Sequence, residues 1–436
     1  MLLQFKFGNF RSFKDVARLS MVASKDKEFQ NSHVFQLTDK VNVLRSAAIY
    51  GANASGKSNL IDAISFMRNF VLTSSKETVS SEEKINVEPF LLDVESEKEP
   101  STFEVVFNLE KERFRYGFQL NSEKVINEWL FCAFDGKARE SQLFIRENTN
   151  DFDVKPAFKG AKKIKELRVK ENVLFLSLCS QLGVELANKI VSLFFFKIGI
   201  ISGAEPTGYR NFTKEKMNDH EYMNFFIELL SIAGTGINGL EKQEAKYTEK
   251  DLPDGLNDET RLKLLNMSKI DVFTKHNMFD KDGKIVGEVV FNMENQESEG
   301  THQLFCLAGP LFDTIKNNRI MIVDEFSTKL HPKLARAIID FFHNIGEGEV
   351  FSNSSSQIIF ATHNTDIMTN RFFRRDQVYF VDKNHRESST LYSLADFKLG
   401  KPRKDASFNK DYIAGKYGAI PSIGSLDDLK ELINGK

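Results

Sequence analysis

Apolar and polar residues alternate from Leu2 to Phe7 and again around Val16 to Ala23, the period of a half-buried strand. The chain is therefore predicted to open with two strands joined by the turn-like segment GNFRSFKD. A third apolar run, residues 43–50, has strand length and stops at Gly51. After a glycine-rich turn, Leu60, Ile61, Ile64, Met67 and Phe70 recur at helical spacing, which makes the unit strand, glycine loop, helix.

Residues 101–134 place Glu, Asn and Lys between β-rich runs and predict an antiparallel meander. From about Asp135 to Met267 the character changes. A basic segment is followed by helices predicted over 181–197 and 219–233 and by a polar stretch near 240–260, which reads as an insertion between two halves of one core. A hairpin turning at Asp280 to Lys284 comes next. Then ESEGTHQLFCLAGPLFDTI reads as helix, NRIMIVDEF as a buried strand, PKLARAIIDFFHNI as helix and SQIIFATHN as a second buried strand. Alternating strand and helix predicts a parallel α/β sheet. The expected domains are 1–135, a mainly helical insertion at 136–268, and 269–436.

Composition narrows the class. With 436 residues, 41% hydrophobic and 28% charged, the chain can bury a real core, and disordered, collagen-like and coiled-coil readings fall away. Lys+Arg 59 against Asp+Glu 61 gives a net charge of -2, so no global field draws in nucleic acid or membrane, and any such contact is a local patch. The cysteines, Cys132, Cys179 and Cys306, are too scattered for a disulfide framework and suit a reducing cytosol. The most apolar stretch, IVSLFFFKIGIIS from Ile190, is broken by Lys197 and falls short of the roughly 20 residues of a membrane span. A soluble cytoplasmic protein without membrane contact is expected. Aromatic usage leans to Phe, 40 against 9 Tyr and 1 Trp, which favours packing over base or sugar stacking.

Candidate chemistry starts at Gly51, Ala52, Asn53, Ala54, Ser55, Gly56, Lys57 and Ser58, a full G-x-x-x-x-G-K-[ST], with Asn59 following. The glycines let backbone N–H groups converge on phosphate oxygens at the positive end of the helix. Lys57 is placed for the β- and γ-phosphates of ATP and Ser58 for Mg²⁺. Ile320 to Glu325 is four apolar residues running into two carboxylates, and a buried strand ending in acids delivers them to the ligand edge of a parallel sheet. Asp324 is assigned to Mg²⁺, and Glu325 to polarising the attacking water. The strand ending in Thr362, His363 and Asn364 brings His363 to the same edge, placed to donate to the γ-phosphate.

The order phosphate loop, long insertion, Ser298 to Thr301, VDEF, ATH resembles the ABC-type ATPases of the RecF, SMC/Rad50 and OLD kind. Within them it is most similar to the AAA15-type ATP-binding proteins of bacterial abortive-infection and phage-defence operons. NFRSF (Asn9 to Phe13), Leu330-His331-Pro332 and KDYIAGKYGAIP (Lys410 to Pro421) carry the likeness further. The resemblance implies an ABC-type P-loop core, ATP and Mg²⁺ as cofactors, and a homodimer in which Ser298, Glu299 and Gly300 contact nucleotide held by the other protomer. It also implies that Arg11 and Ser12 line the nucleotide, and that a separately encoded effector protein is controlled. A DNA-binding ATPase of repair or chromosome maintenance is the alternative. SEG stands where transporter ATPases typically carry Ser-Gly-Gly, which argues against transport. No Q-loop glutamine stands out, Gln119 and Glu104 being equally weak candidates. The basic run Lys155, Lys159, Lys162, Lys163, Lys165, Arg168, Lys170 is able to meet nucleic-acid phosphates, although a solvated face is the commoner meaning. Arg371, Arg374 and Arg375 form a second cluster placed to touch a partner or nucleotide, and no nuclease constellation is visible.

Overall fold

The computed structural model describes residues 1–76, 83–134, 139–166, 169–201, 207–249, 252, 255–266, 268–345, 354–397 and 407–421. The chain divides into two compact units. One comprises Met1–Ile200, Asn318–Phe326 and Ile339–Lys436, and the other Ile201–Asn317 and Ser327–Ile338.

The first unit holds two large sheets. In the six-stranded sheet the order is Ile198–Ile201, Ile320–Val323, Gln357–Ala361, Ser46–Tyr50, Val378–Lys383, Ser389–Ser393. Ile320–Val323, Gln357–Ala361, Ser46–Tyr50 and Val378–Lys383 are mutually parallel, and Ser389–Ser393 returns antiparallel. SAAIY, IMIV and QIIFA are buried at every position, as expected of strands covered on both faces. The seven-stranded sheet is antiparallel throughout, in the order Asp151–Val154, Ser141–Glu147, Val125–Ala133, Glu112–Leu120, Ser101–Leu109, Leu2–Gly8, Ala17–Ser20. Phe103, Phe118, Ile322 and Ile359 of the two sheets join Leu60, Ile64 and Met67 of the helix Lys57–Thr73 in one core. The expected ABC-type P-loop core, a parallel sheet with helices plus an antiparallel meander, is the architecture observed.

Three local departures have physical causes. The run 43–50 is not one strand: Val41–Leu44 pairs with Val34–Thr38, and Ser46–Tyr50 enters the parallel sheet. Between them the buried Arg45 donates its N–H to His33 O (2.9 Å) and its guanidinium to Ser354 O (2.7 Å), so the chain changes sheets there. The helix expected over 181–197 is shorter than expected: a helix Phe175–Gln181 ends at its first residue, Gly183 follows at φ 81°, and the helix within the range runs Glu185–Leu193. The stretch 136–268 is mixed rather than mainly helical at its start. Ser141–Glu147 and Asp151–Val154 extend the meander, because Phe144 and Arg146 are buried beneath it, Arg146 lying 3.8 Å from the buried Glu128.

The second unit packs helices Thr207–Lys216 and His220–Ile232 on Glu299–Lys316, beside the sheet Ile237–Lys246, Ser268–Phe279, Ile285–Asn292. No single helix among the described residues is long and apolar enough to cross a membrane.

Candidate active site

The carboxyl ends of three parallel strands are tied at one level. Thr362 N–H donates to Ile49 O (3.1 Å), and Phe326 N–H to Ala361 O (3.0 Å). The residues after Tyr50, Val323 and Ala361 therefore emerge side by side. A cleft of 470 Å³ results, lined by Asn53 through Asn59, Asp324 and Glu325, and Ala361 through His363.

The loop from Gly51 is shaped by close approach. A Cβ on Gly51 would fall inside contact distance of Val381 O and 2.6 Å from Ser55 Oγ. On Gly56, at φ 109°, it would lie 2.5 Å from Ser389 Oγ and 2.6 Å from Ser12 Oγ. Gly56 caps the helix Lys57–Thr73 without a side-chain bond, and no acid occupies the first turn, the arrangement that leaves leading N–H groups able to meet an anion. Lys57 Nζ donates to Gly51 O (3.0 Å) and Ala52 O (2.8 Å). Burial holds its ammonium down at about 8, against the opposing pull of Asp324 and Glu325. Ser58 is exposed on the cleft side, and Ser55 Oγ is buried without a hydrogen-bond partner.

Asp324 Oδ1 accepts the N–H of Glu325 (3.0 Å), and Glu325 itself sits at φ 51°, a left-handed backbone uncommon for glutamate. The bend carries the second carboxylate out of strand direction into the cleft wall. His363 is held below the ordinary histidine value first by burial and then by the Lys57 ammonium, with Glu325 and Asp324 pulling the other way. Neutral imidazole keeps one N–H donor and one acceptor. A hydroxyl and a carboxylate in one cleft are hard oxygen donors of the kind Mg²⁺ takes alongside phosphate oxygens, so Ser58 and Asp324 fit that ion.

Arg11 and Ser12 stand elsewhere than the cleft wall. Ser12 lies behind the loop: its Oγ accepts from Asn59 Nδ2 (2.7 Å) and lies 2.8 Å from Ser389 Oγ, while its carbonyl accepts Ser389 N–H (2.7 Å). Ser389 also reaches Ser55 O (2.6 Å), a bond spanning 334 residues of sequence. Sequence reasoning missed Ser389, which carries no motif. Arg11, at φ 48°, pairs with Asp62 and with Glu88 (3.0 Å) in a neighbouring 400 Å³ cleft that also contains Phe10, Phe66 and Asn86.

In the second unit Ser298 caps the helix Glu299–Lys316, its Oγ accepting Thr301 N–H (3.1 Å). Glu299 pairs with Lys329 (3.3 Å), and a Cβ on Gly300 would meet Lys329 O at 3.2 Å. Ser298 and Glu299 are exposed. Gln119 and Glu104 sit on the outer face of the meander, partnered by Thr102 and by Lys6, Arg115 and Trp129, and line no part of the 470 Å³ cleft. Arg374 is a buried structural residue, bonded to Asp376 (2.8 Å) and Asp26 O (3.0 Å). In the basic run, Lys155 pairs with Asp153 (2.6 Å), Lys165 donates to Phe152 O (2.9 Å), and Arg168 lies outside the described residues.

A family model described as an AAA domain, putative AbiEii toxin, Type IV TA system, matches residues 46–369. Among solved structures the chain is similar to the SMC head domain from Thermotoga maritima, at 14% identity over 90% of this chain and 98% of that one with a TM-score of 0.39. It is also similar to the recombination mediator protein RecF-ATPrS of the RecFOR pathway, at 11% identity over 90% and 98% with a TM-score of 0.34. No curated protein matches the chain.

Proposed function

Because the chain belongs to the AAA domain family described as putative AbiEii toxin, Type IV TA system, we propose that it is an ATP-hydrolysing dimeric switch that governs a separate effector, a nuclease or toxin, in bacterial antiphage defence. The observation that carries the reading is the shared cleft: phosphate loop, two carboxylates and a histidine lie around one 470 Å³ space. ATP and Mg²⁺ are its cofactors. The helix N-terminus and Lys57 hold the phosphates, and Ser58 and Asp324 hold the ion that neutralises charge on the transferred group. Glu325 orients and deprotonates the attacking water, and His363 donates its N–H to the γ-phosphate and loses that partner on hydrolysis.

Ser298, Glu299 and Gly300 are assigned to the γ-phosphate of a second protomer's nucleotide. The exposure of Ser298 and Glu299 at a helix N-terminus supports this, since the leading N–H groups of that helix are able to meet an anion. A two-fold dimer completes both sites at once.

Two measurements test the reading. Mixing Lys57→Ala with Ser298→Arg protomers should restore at most one working site per heterodimer, and hydrolysis independent of protein concentration in a monomer would end the composite-site assignment. Pull-down from the native operon with wild type and Glu325→Gln should retain an effector whose toxicity follows nucleotide state. Tight, salt-sensitive DNA binding lost on charge reversal of Lys162, Lys163 and Lys165, with no protein retained, would favour the DNA-binding alternative.

A further inference from the structure

KDYIAGKYGAIP, residues 410–421, lines no part of the 470 Å³ cleft. It is fastened instead to the hairpin formed by Val378–Lys383 and Ser389–Ser393. Asp382 Oδ2 accepts the N–H of Ala419 (3.0 Å), and the Tyr392 hydroxyl donates to Tyr417 O (2.6 Å). Tyr412 stacks on Phe380 with ring centroids 5.3 Å apart, and its hydroxyl donates to Ala419 O (2.9 Å), which closes the segment on itself. Gly418 lies between the two anchored residues at φ 70°, and a Cβ there would stand 2.9 Å from the Tyr392 hydroxyl and 3.1 Å from Asp382 Oδ2. The same end of the hairpin holds the phosphate loop. Val381 O bounds Gly51 so closely that no Cβ fits, and the buried Ser389 donates to Ser55 O (2.6 Å) and bounds Gly56. Asp382, which anchors Ala419, follows Val381 directly and pairs with Thr390, the neighbour of Ser389.

We propose that residues 410–421 brace the nucleotide site from behind: they hold the 382–389 end of the hairpin, and that end fixes the phosphate loop, with Asp382, Tyr392 and Ser389 as positioning residues. This rests on the ATP reading under Proposed function. None of the three lines the cleft, so each acts through the loop rather than on a ligand. A phosphate loop offers its N–H groups to an anion only while its backbone keeps one shape, and its affinity falls by the fraction of time it spends in others. The Ser389 hydroxyl limits those alternatives directly, because without it the carbonyl of Ser55 loses its partner in a buried position. The bonds from Ala419 to Asp382 and from Tyr392 to Tyr417 act one step further back, on the strands that carry Val381 and Ser389.

The experiment compares wild type, Ser389→Ala, and Asp382→Ala combined with Tyr392→Phe, which removes both bonds to the segment and keeps the aromatic rings. Calorimetric titration with the slowly hydrolysed ATP analogue AMP-PNP and Mg²⁺ gives Kd, and ATP turnover gives KM and kcat. Both variants should raise Kd and KM on the order of tenfold, with kcat at saturating ATP within about twofold, because a displaced loop weakens ground state and transition state alike. A bond that serves stability alone would lower Tm and leave Kd and KM at the wild-type values. Hydrogen exchange tests wild type directly. If the docked segment favours bound nucleotide, bound nucleotide favours the docked segment, so AMP-PNP should slow exchange of the amides of residues 415–420, and Ser389→Ala should remove that slowing. Wild-type affinity in both variants, or exchange at 415–420 indifferent to nucleotide, overturns the proposal. Equal affinity in wild type and Lys57→Ala is a distinguishable failure: it removes the nucleotide reading itself, and the brace with it.

Discussion

The two sheets of the first unit expose their chemistry in opposite ways. Strands Ser46–Tyr50, Ile320–Val323 and Gln357–Ala361 are buried along their whole length, so they can present reactive groups only where they end. Strand Ser101–Leu109 alternates buried and half-buried positions, and its sheet offers a whole outer face instead. On that face Glu104 accepts from Lys6 (2.9 Å), Arg115 (3.2 Å) and the Trp129 indole (3.1 Å), and Arg115 lies 4.2 Å over the Phe131 ring. The polar groups there are spent on one another. At the strand ends the pattern is reversed: Ser55 Oγ has no partner and Lys57 is held on its own loop's carbonyls. Charge committed to a network braces a sheet, whereas charge gathered at strand ends remains for a ligand.

The largest expected effect separates these two kinds of carboxylate. Glu325→Gln should lower ATP turnover by roughly 10²- to 10⁴-fold while nucleotide still binds, the loss ascribed to a general base. Glu104→Gln, on the outer face, should leave turnover within about twofold, because none of its partners reaches the transferred phosphate. Steady-state phosphate release on both variants checks this. Equal losses would mean that the meander face takes part in catalysis.

Glycines sharpen the contrast. Gly56→Ala would push a methyl against the Ser389 and Ser12 hydroxyls and force alanine to φ 109°, so the loop must open and nucleotide affinity should fall about tenfold or more. Gly117→Ala meets the Trp129 ring at 2.5 Å. Overpacking there should cost on the order of 1–3 kcal/mol of stability, seen as a lower Tm, with nucleotide affinity unchanged. Calorimetric titration alongside thermal melts distinguishes the two.

The same difference governs what was legible in the sequence. Strand ends announce themselves locally: Gly51 to Ser58, Asp324 with Glu325, and His363 each follow an apolar run directly, so the cleft could be assembled from spacing. The support behind it could not. Ser389 is joined to Ser55 across 334 residues, and a serine between Ser388 and Thr390 has no signature. Ser12 was placed on the nucleotide by resemblance, whereas its hydroxyl is taken up by Asn59 and Ser389. The meander's extension escaped notice because Arg146 reads as a surface residue, although buried Glu128 and the carbonyls of Val173 and Thr149 receive its guanidinium. Arg45 hid a change of sheet in the same way. Polar residues buried by distant partners are where pattern reading fails, since periodicity counts them as outward-facing.

Lys57 gives the cleft a pH dependence of its own. With its ammonium held at about 8 in the free protein, a rise in pH through that value neutralises Lys57 before ATP arrives. Binding then has to take up a proton, so the apparent affinity should weaken by up to tenfold per pH unit above 8. Titrations in buffers of different ionisation enthalpy should show proton uptake at pH 9 and little at pH 7, and Lys57→Arg should abolish the difference.

The smallest effect concerns the far end of the parallel sheet, where the strand Ser46–Tyr50 begins. His33 and His343 stack there with ring centroids 3.6 Å apart, and His343 Nε2 meets Ser46 Oγ at 2.7 Å while His33 Nε2 donates to Phe372 O at 2.9 Å. Both rings are pushed below the ordinary histidine value of 6.5, His343 by burial first, then by His33 and Arg45. His33 is lowered by burial first and by Arg374, with Asp340 and Asp376 opposing. Below 6.5 the unfolded chain therefore binds protons that the folded chain refuses, and stability is lost as pH falls. The expected slope is about 1.4 kcal/mol per pH unit for each histidine that stays neutral. His343→Gln keeps a hydrogen-bonding partner for Ser46 and removes one of the two titrating rings. Urea unfolding between pH 5 and 7 should consequently show a shallower loss than wild type, whatever its stability at pH 7, and an unchanged slope would mean that the pair is protonated in the native state.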